Sequence, residues 1–133
     1  MREIKFKAQR VSDGEWVEGD LIHGVGSCHG NMYILPIRHI YPKGCNDLNG
    51  WNVISESVCQ FTGLTDKNGV EIYDGDKIKV STAFIDIFGQ IIWSDGDLCY
   101  MISWFNGDSE PLYGWHNKEL ELIGNIHDKN NKL

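Results

Sequence analysis

The amino-acid sequence predicts a mainly β protein, and three observations carry that reading. Five tryptophans, five tyrosines and five phenylalanines sit among short runs of valine and isoleucine, the residue types that fill a pleated, half-buried surface. Fifteen glycines punctuate those runs, several beside Asp, Asn or Ser, which is turn chemistry rather than helix-interior chemistry. Composition is otherwise that of a folded domain: 133 residues, 41% hydrophobic and 23% charged, enough for an apolar core without metals or disulfides.

The elements follow in chain order. Ile4, Phe6 and Ala8 alternate with Lys5 and Lys7, as in a half-buried first strand with its lysines in water. Ser12-Asp13-Gly14 offers a turn into a hairpin with Glu15-Trp16-Val17-Glu18. Residues 23–50 read as loops around one apolar piece, Met32 to Ile37, and Pro36 makes that piece an edge or interrupted strand because it cannot donate to a ladder. Val53 to Val58 fits a strand or one helical turn, and period does not separate the two. Further on, Lys77 to Val80 alternates. Gly89 to Trp93 and Leu98 to Trp104 flank Ser94-Asp95-Gly96-Asp97 as a hairpin. Lys118 to Ile123 closes the sheet, and residues 129–133 form a frayed polar tail.

One segment echoes another. Glu15-Trp16-Val17-Glu18-Gly19-Asp20-Leu21-Ile22 and Glu71-Ile72-Tyr73-Asp74-Gly75-Asp76-Lys77-Ile78 share Glu, Gly, Asp and Ile at an offset of 56. Both read as an apolar pair, an acid-Gly-Asp turn and a returning strand, a logic that two hairpins reach without duplication.

The stretch Gln60-Phe61-Thr62-Gly63-Leu64-Thr65-Asp66-Lys67-Asn68-Gly69-Val70-Glu71-Ile72-Tyr73-Asp74-Gly75-Asp76 resembles the signature of the YopX family, small proteins found mainly in phages and prophages. The opening Arg2 to Ala8 and the close Leu122 to Asp128 resemble the family as well, whereas Ser55 and Cys59 stand where a proline and a glycine are common. The resemblance implies a second half like a small SH3-like barrel, self-association, and a role in phage or mobile-element biology inside the bacterial host. It carries over no activity, cofactor or catalytic residue. The expected organisation is therefore residues 1–60 as an N-terminal β region, 61–128 as the barrel-like region and 129–133 as tail.

Within the signature, Asn68-Gly69 suits a tight hairpin with positive φ at both central residues, and Asp66 is placed to accept turn amides. Gly75 and Asp76 read the same way, so these five residues are expected to be architectural. The functional alternative is that Asp66, Asp74 and Asp76 ring a cation or partner site.

Other chemistry is thin. His23, Cys28, His29, His39 and Cys45 are metal-ligand types, but Cys28 and His29 are adjacent and no Cys-x-x-Cys occurs, so no metal is expected. The four cysteines, Cys28, Cys45, Cys59 and Cys99, are expected as thiols. No Gly-x-Ser-x-Gly elbow is present, Gly24-Val25-Gly26 lacks the third glycine of a dinucleotide loop, and Asp95 and Asp97 fall at a turn. The expectation is a non-enzymatic protein with no cofactor.

Charge and hydropathy narrow the partners. No apolar run approaches the ~20 residues of a membrane span, and Met1 to Phe6 does not open a signal peptide, so a cytoplasmic protein is expected. Twelve basic and nineteen acidic residues give −7, which disfavours nucleic acid and anionic membranes as main partners. Residues 1–60 contribute 6 − 7 = −1 and residues 61–133 contribute 6 − 12 = −6. A self-associating protein-interaction module is the function expected, with a phage or host protein as a further partner. Lys5, Lys7, Arg10, Lys77 and Lys79 motivate the alternative, a nucleic-acid-associated accessory factor. Among the aromatics of the second half, Trp93 and Trp104 are expected in the core, and Tyr113 and Trp115 are expected as an exposed contact pair.

Overall fold

A computed structural model describes residues 2–24, 30–36, 50–115 and 119–128. The chain is mainly β, with no α-helix among these residues, and every strand pairing is antiparallel. It divides into two compact units, Met1–Gln60 and Phe61–Leu133.

The first unit contains β1 (Phe6–Gln9), β2 (Trp16–His23), β3 (Met32–Leu35), β4 (Trp51–Val53) and the first two residues of β5 (Cys59–Thr65), paired in the order β4-β3-β2-β1-β5. The β1–β2 hairpin is closed by the Arg10 N–H donating to the Glu15 carbonyl at 2.9 Å and by the Asp13 carboxylate, which accepts the Glu15 N–H at 3.0 Å. Ala8, Ile34 and Val53 form the core, with Phe6, Val17, Leu21, Met32, Trp51 and Val58 packed around them. Gln9 N–H reaches the buried Ser57 hydroxyl at 2.8 Å, which ties β1 to the 3-10 turn Ser55–Ser57.

Three expectations change here. Of the two readings of the Met32 piece the edge fails, because β3 runs between β2 and β4, while the interruption holds, because the strand ends just before Pro36. Lys5, just before β1, and Lys7, within it, do not form a wet face: Lys5 is buried and paired with Glu3 at 3.5 Å, and Lys7 lies 4.8 Å over the Trp16 ring. The echo is sequence-deep only. Asp74-Gly75 does turn between strands, but Gly19-Asp20 continues straight through β2. A Cβ on Gly19 would sit 2.1 Å from the Leu35 carbonyl oxygen, so this glycine serves close backbone approach and not a turn.

In the second unit β5 continues and pairs with β6 (Glu71–Tyr73), while β7 (Asp76–Ser81), β8 (Asp86–Ser94), β9 (Cys99–Trp104), β10 (Ser109–Pro111) and β11 (Glu121–Asn125) form a sheet ordered β10-β9-β8-β7-β11. Four strands meander, and the fifth returns to the first after a 3-10 turn at Leu112–Gly114. Ile72, Ile78, Val80, Ile91, Ile102, Trp104, Leu112 and Leu120 make one buried cluster. Each such aliphatic side chain stabilises the fold by roughly 1.5–3 kcal/mol, which makes this cluster the main support of the sheet.

Candidate functional site

Two sets of residues meet the sequence-based candidates: the polar signature around Asp66 and Asp76, and the aromatic and apolar side chains left in water by the second sheet.

Asp66 is almost fully buried. Its Oδ1 accepts the N–H groups of Asn68 (2.8 Å) and Val70 (2.9 Å), and its Oδ2 accepts the Leu122 N–H at 2.9 Å. Burial pushes this carboxyl up, but the three backbone donors and the nearby Lys67 charge outweigh it and hold it below the ordinary aspartate value. The loop it caps differs from the sequence expectation. Gly69 N–H donates to Asp66 carbonyl at 3.0 Å, and only Gly69, at φ +80°, has positive φ, so Asn68-Gly69 is not a two-residue hairpin turn. Asp66 to Gly69 instead form one turn ending on a left-handed glycine, a geometry that tolerates a buried acid at its first position.

Asp76 is also fully buried. Its Oδ2 accepts the Tyr73 N–H at 2.7 Å and its Oδ1 accepts Asn125 Nδ2 at 2.9 Å. Gly75, at φ +85°, donates its N–H to the Ile91 carbonyl and accepts the Ile126 N–H. With Lys67 N–H on the Leu120 carbonyl, the signature thus holds the last strand at Leu122 and Asn125 and its two flanks at Leu120 and Ile126. Glu121 adds a surface clasp between Lys79 (3.3 Å) and Lys67 (3.4 Å), and these cations hold its carboxyl below the ordinary range. The carboxylates of Asp66 and Asp76 therefore serve backbone and amide donors. Among the described residues no group of three or more His, Cys, Asp or Glu converges to hold a metal ion.

The signature and the closing strand, far apart in sequence, are thus joined in the fold. The family model described as YopX protein matches residues 5–133. The chain belongs to the YopX family. No curated protein matches it. For this YopX-family chain the signature reads as a clamp that seats the closing strand, with Asp66 and Asp76 as its polar centres.

The remaining candidates scatter. Tyr113 stands in water at 77% exposure, as expected of a contact residue, whereas Trp115 does not stand beside it as an exposed partner. Trp115 is half-buried, its ring centroid 5.4 Å from that of the buried Trp104, with its Nε1–H donated to Glu110. Trp93, expected in the core, is exposed because it lies near the end of β8, beyond Ile91 where the buried cluster stops. Its ring meets Tyr100 edge-on at 5.1 Å. Of the proposed basic residues, Arg10 is bound to Asp13, whose hydrogen bond raises its already high pKa, Lys79 is bound to Glu121, and Lys77 is buried. His23 is exposed at the end of β2; Cys28, His29, His39 and Cys45 lie outside the described residues. Cys59 is a buried thiol and Cys99 a half-buried one.

Sequence reasoning did not single out Phe84, Ile85 or Leu98, which are among the most exposed large apolar side chains. Phe84 and Ile85 sit on a turn fixed by Thr82, whose hydroxyl accepts both their N–H groups and donates to the Ile85 carbonyl at 2.7 Å. Thr82 ahead of an apolar pair was the available signal, since a threonine hydroxyl bonding forward starts a turn.

Proposed function

We propose that the protein is a non-enzymatic, self-associating interaction module of phage or prophage origin that works in the cytoplasm of a bacterial host. The observation that carries this reading is the apolar surface of the second unit. Phe84 is 95% exposed and Tyr113 77%, although the sheet beside them has a filled core that does not need them. Large apolar side chains held in water by ordered turns are suited to burial against another protein. The connectivity supports reading this unit as a small SH3-like barrel, because a four-strand meander whose fifth strand returns to the first is the order such a barrel needs. Tyr113 is assigned to the contact, whereas the half-buried Trp115 packs on Trp104.

Sedimentation of the full chain tests the reading. An oligomer that Tyr113→Ala weakens without lowering thermal stability is the expected result, and a monomer at every concentration would remove self-association. Binding to DNA or RNA that fades as salt rises would favour the nucleic-acid reading instead.

A further inference from the structure

The sequence from Val80 to Asn117 holds five carboxylates, Asp86, Asp95, Asp97, Asp108 and Glu110, and neither a lysine nor an arginine. At the turn end of the β8–β9 hairpin two of these carboxylates, Asp95 and Asp97, lie in sequence between the members of an aromatic pair. Trp93 and Tyr100 face each other across the two strands, with ring centroids 5.1 Å apart and planes inclined by 72°. The indole is 45% exposed, and its Nε1–H donates to Asp95 Oδ1 at 2.8 Å, which fixes the ring and engages one carboxylate oxygen. Asp97 accepts from Ser94 Oγ at 2.8 Å. Among the described residues no lysine or arginine forms an ion pair with Asp95 or Asp97.

We propose that this hairpin end is a docking site for an arginine or lysine side chain carried by a basic segment of a partner protein. The ring attracts a cation through its quadrupole, and the two carboxylates supply directed acceptors beside it. A neutral apolar partner would have to desolvate both carboxylates without pairing them, and a polyanion would be repelled by them. Arginine fits better than lysine, because its flat guanidinium stacks on an indole while its outer N–H groups reach a carboxylate. The proposal goes beyond self-association and does not depend on it, since the two are read by different measurements.

The test titrates the full chain with acetyl-Gly-Arg-Gly-Arg-Gly-amide and with its citrulline counterpart, which keeps the shape and removes the charge. Binding is followed by calorimetry and by the indole N–H resonance of Trp93. The arginine peptide should bind and shift that resonance, and the citrulline peptide should not. Trp93→Ala should weaken binding about tenfold, as should the Asp95→Asn, Asp97→Asn double variant. Trp93→Phe keeps a π face and should retain binding within about threefold. Equal binding of the two peptides would overturn the proposal by showing that charge plays no part, and unchanged binding in Trp93→Ala would overturn it by reducing it to general attraction to an acidic chain. Loss in Trp93→Phe as complete as in Trp93→Ala would overturn the aromatic assignment. Sedimentation of the same variants reports self-association separately, so either reading can fail alone.

Discussion

Asp66 concentrates much of the structural role of the signature in one side chain. Both of its oxygens face N–H donors, Oδ1 toward Asn68 and Val70 and Oδ2 toward Leu122. In Asp66→Asn one of those oxygens becomes an NH2 that points at an N–H, whichever way the amide turns. Hydrogen bonds to charged groups contribute about 1.5–3 kcal/mol, so the variant should lose about 2 kcal/mol in urea unfolding at pH 7. The carboxyl's pKa in the folded chain lies below its unfolded value of about 3.9, so its contribution is complete above that pH and is lost as pH falls through it toward the folded value. The stability gap between the wild type and Asp66→Asn should therefore narrow from pH 7 to pH 3. A gap of constant size would mean that folding leaves the carboxyl's pKa unchanged, and a gap that widens toward low pH would mean that burial outweighs its three donors.

At the scale of the strands, two glycines make opposite demands. Gly69 sits at φ +80° with open space where a Cβ would go, so Gly69→Ala should cost only the left-handed strain, about 1 kcal/mol, and the β-branched Gly69→Val more. Gly19 faces the Leu35 carbonyl at 2.1 Å from an added Cβ, so Gly19→Ala must push β2 from β3 and should cost about 3 kcal/mol or more. Thermal unfolding of both alanine variants checks the order, and equal losses would contradict it. Gly19 also marks where sequence reading stops. The β8–β9 and β1–β2 hairpins are legible because their strands and turns are local in sequence. Gly-Asp after an acid, however, occurs both inside β2 and at the turn before β7, and the choice between them is made by a neighbouring backbone that the tripeptide does not encode. The same limit separates Trp104, in the core, from Trp93, outside it: alternation gives a face, and the extent of the core along the strand is tertiary information. The signature's turn residues were legible as architecture, whereas the grip of Asp66 on Leu122 joins positions 56 residues apart and has no local signal.

For the whole molecule the deciding quantity is charge against apolar area. Every copy carries −7, so bringing copies together costs electrostatic energy that burial at ~25 cal/mol per Å² must offset. Salt screens the repulsion and leaves apolar burial intact, so a self-association resting on exposed apolar side chains such as Tyr113 should persist or strengthen as salt rises. Docking of a basic peptide at Trp93 and Asp95 should do the reverse, because there the charges attract. The two interactions thus respond to salt with opposite signs, and one salt series on one preparation separates them. Tyr113→Ala is the clean probe of self-association, since removing an exposed ring should change stability by less than about 0.5 kcal/mol. Trp115→Ala should cost more, because that ring packs on Trp104 and its Nε1–H is held by Glu110. An assembly that falls apart on adding salt would sink the apolar interface. A Tyr113→Ala, Trp115→Ala chain that stays folded and fully oligomeric would move the interface to other residues.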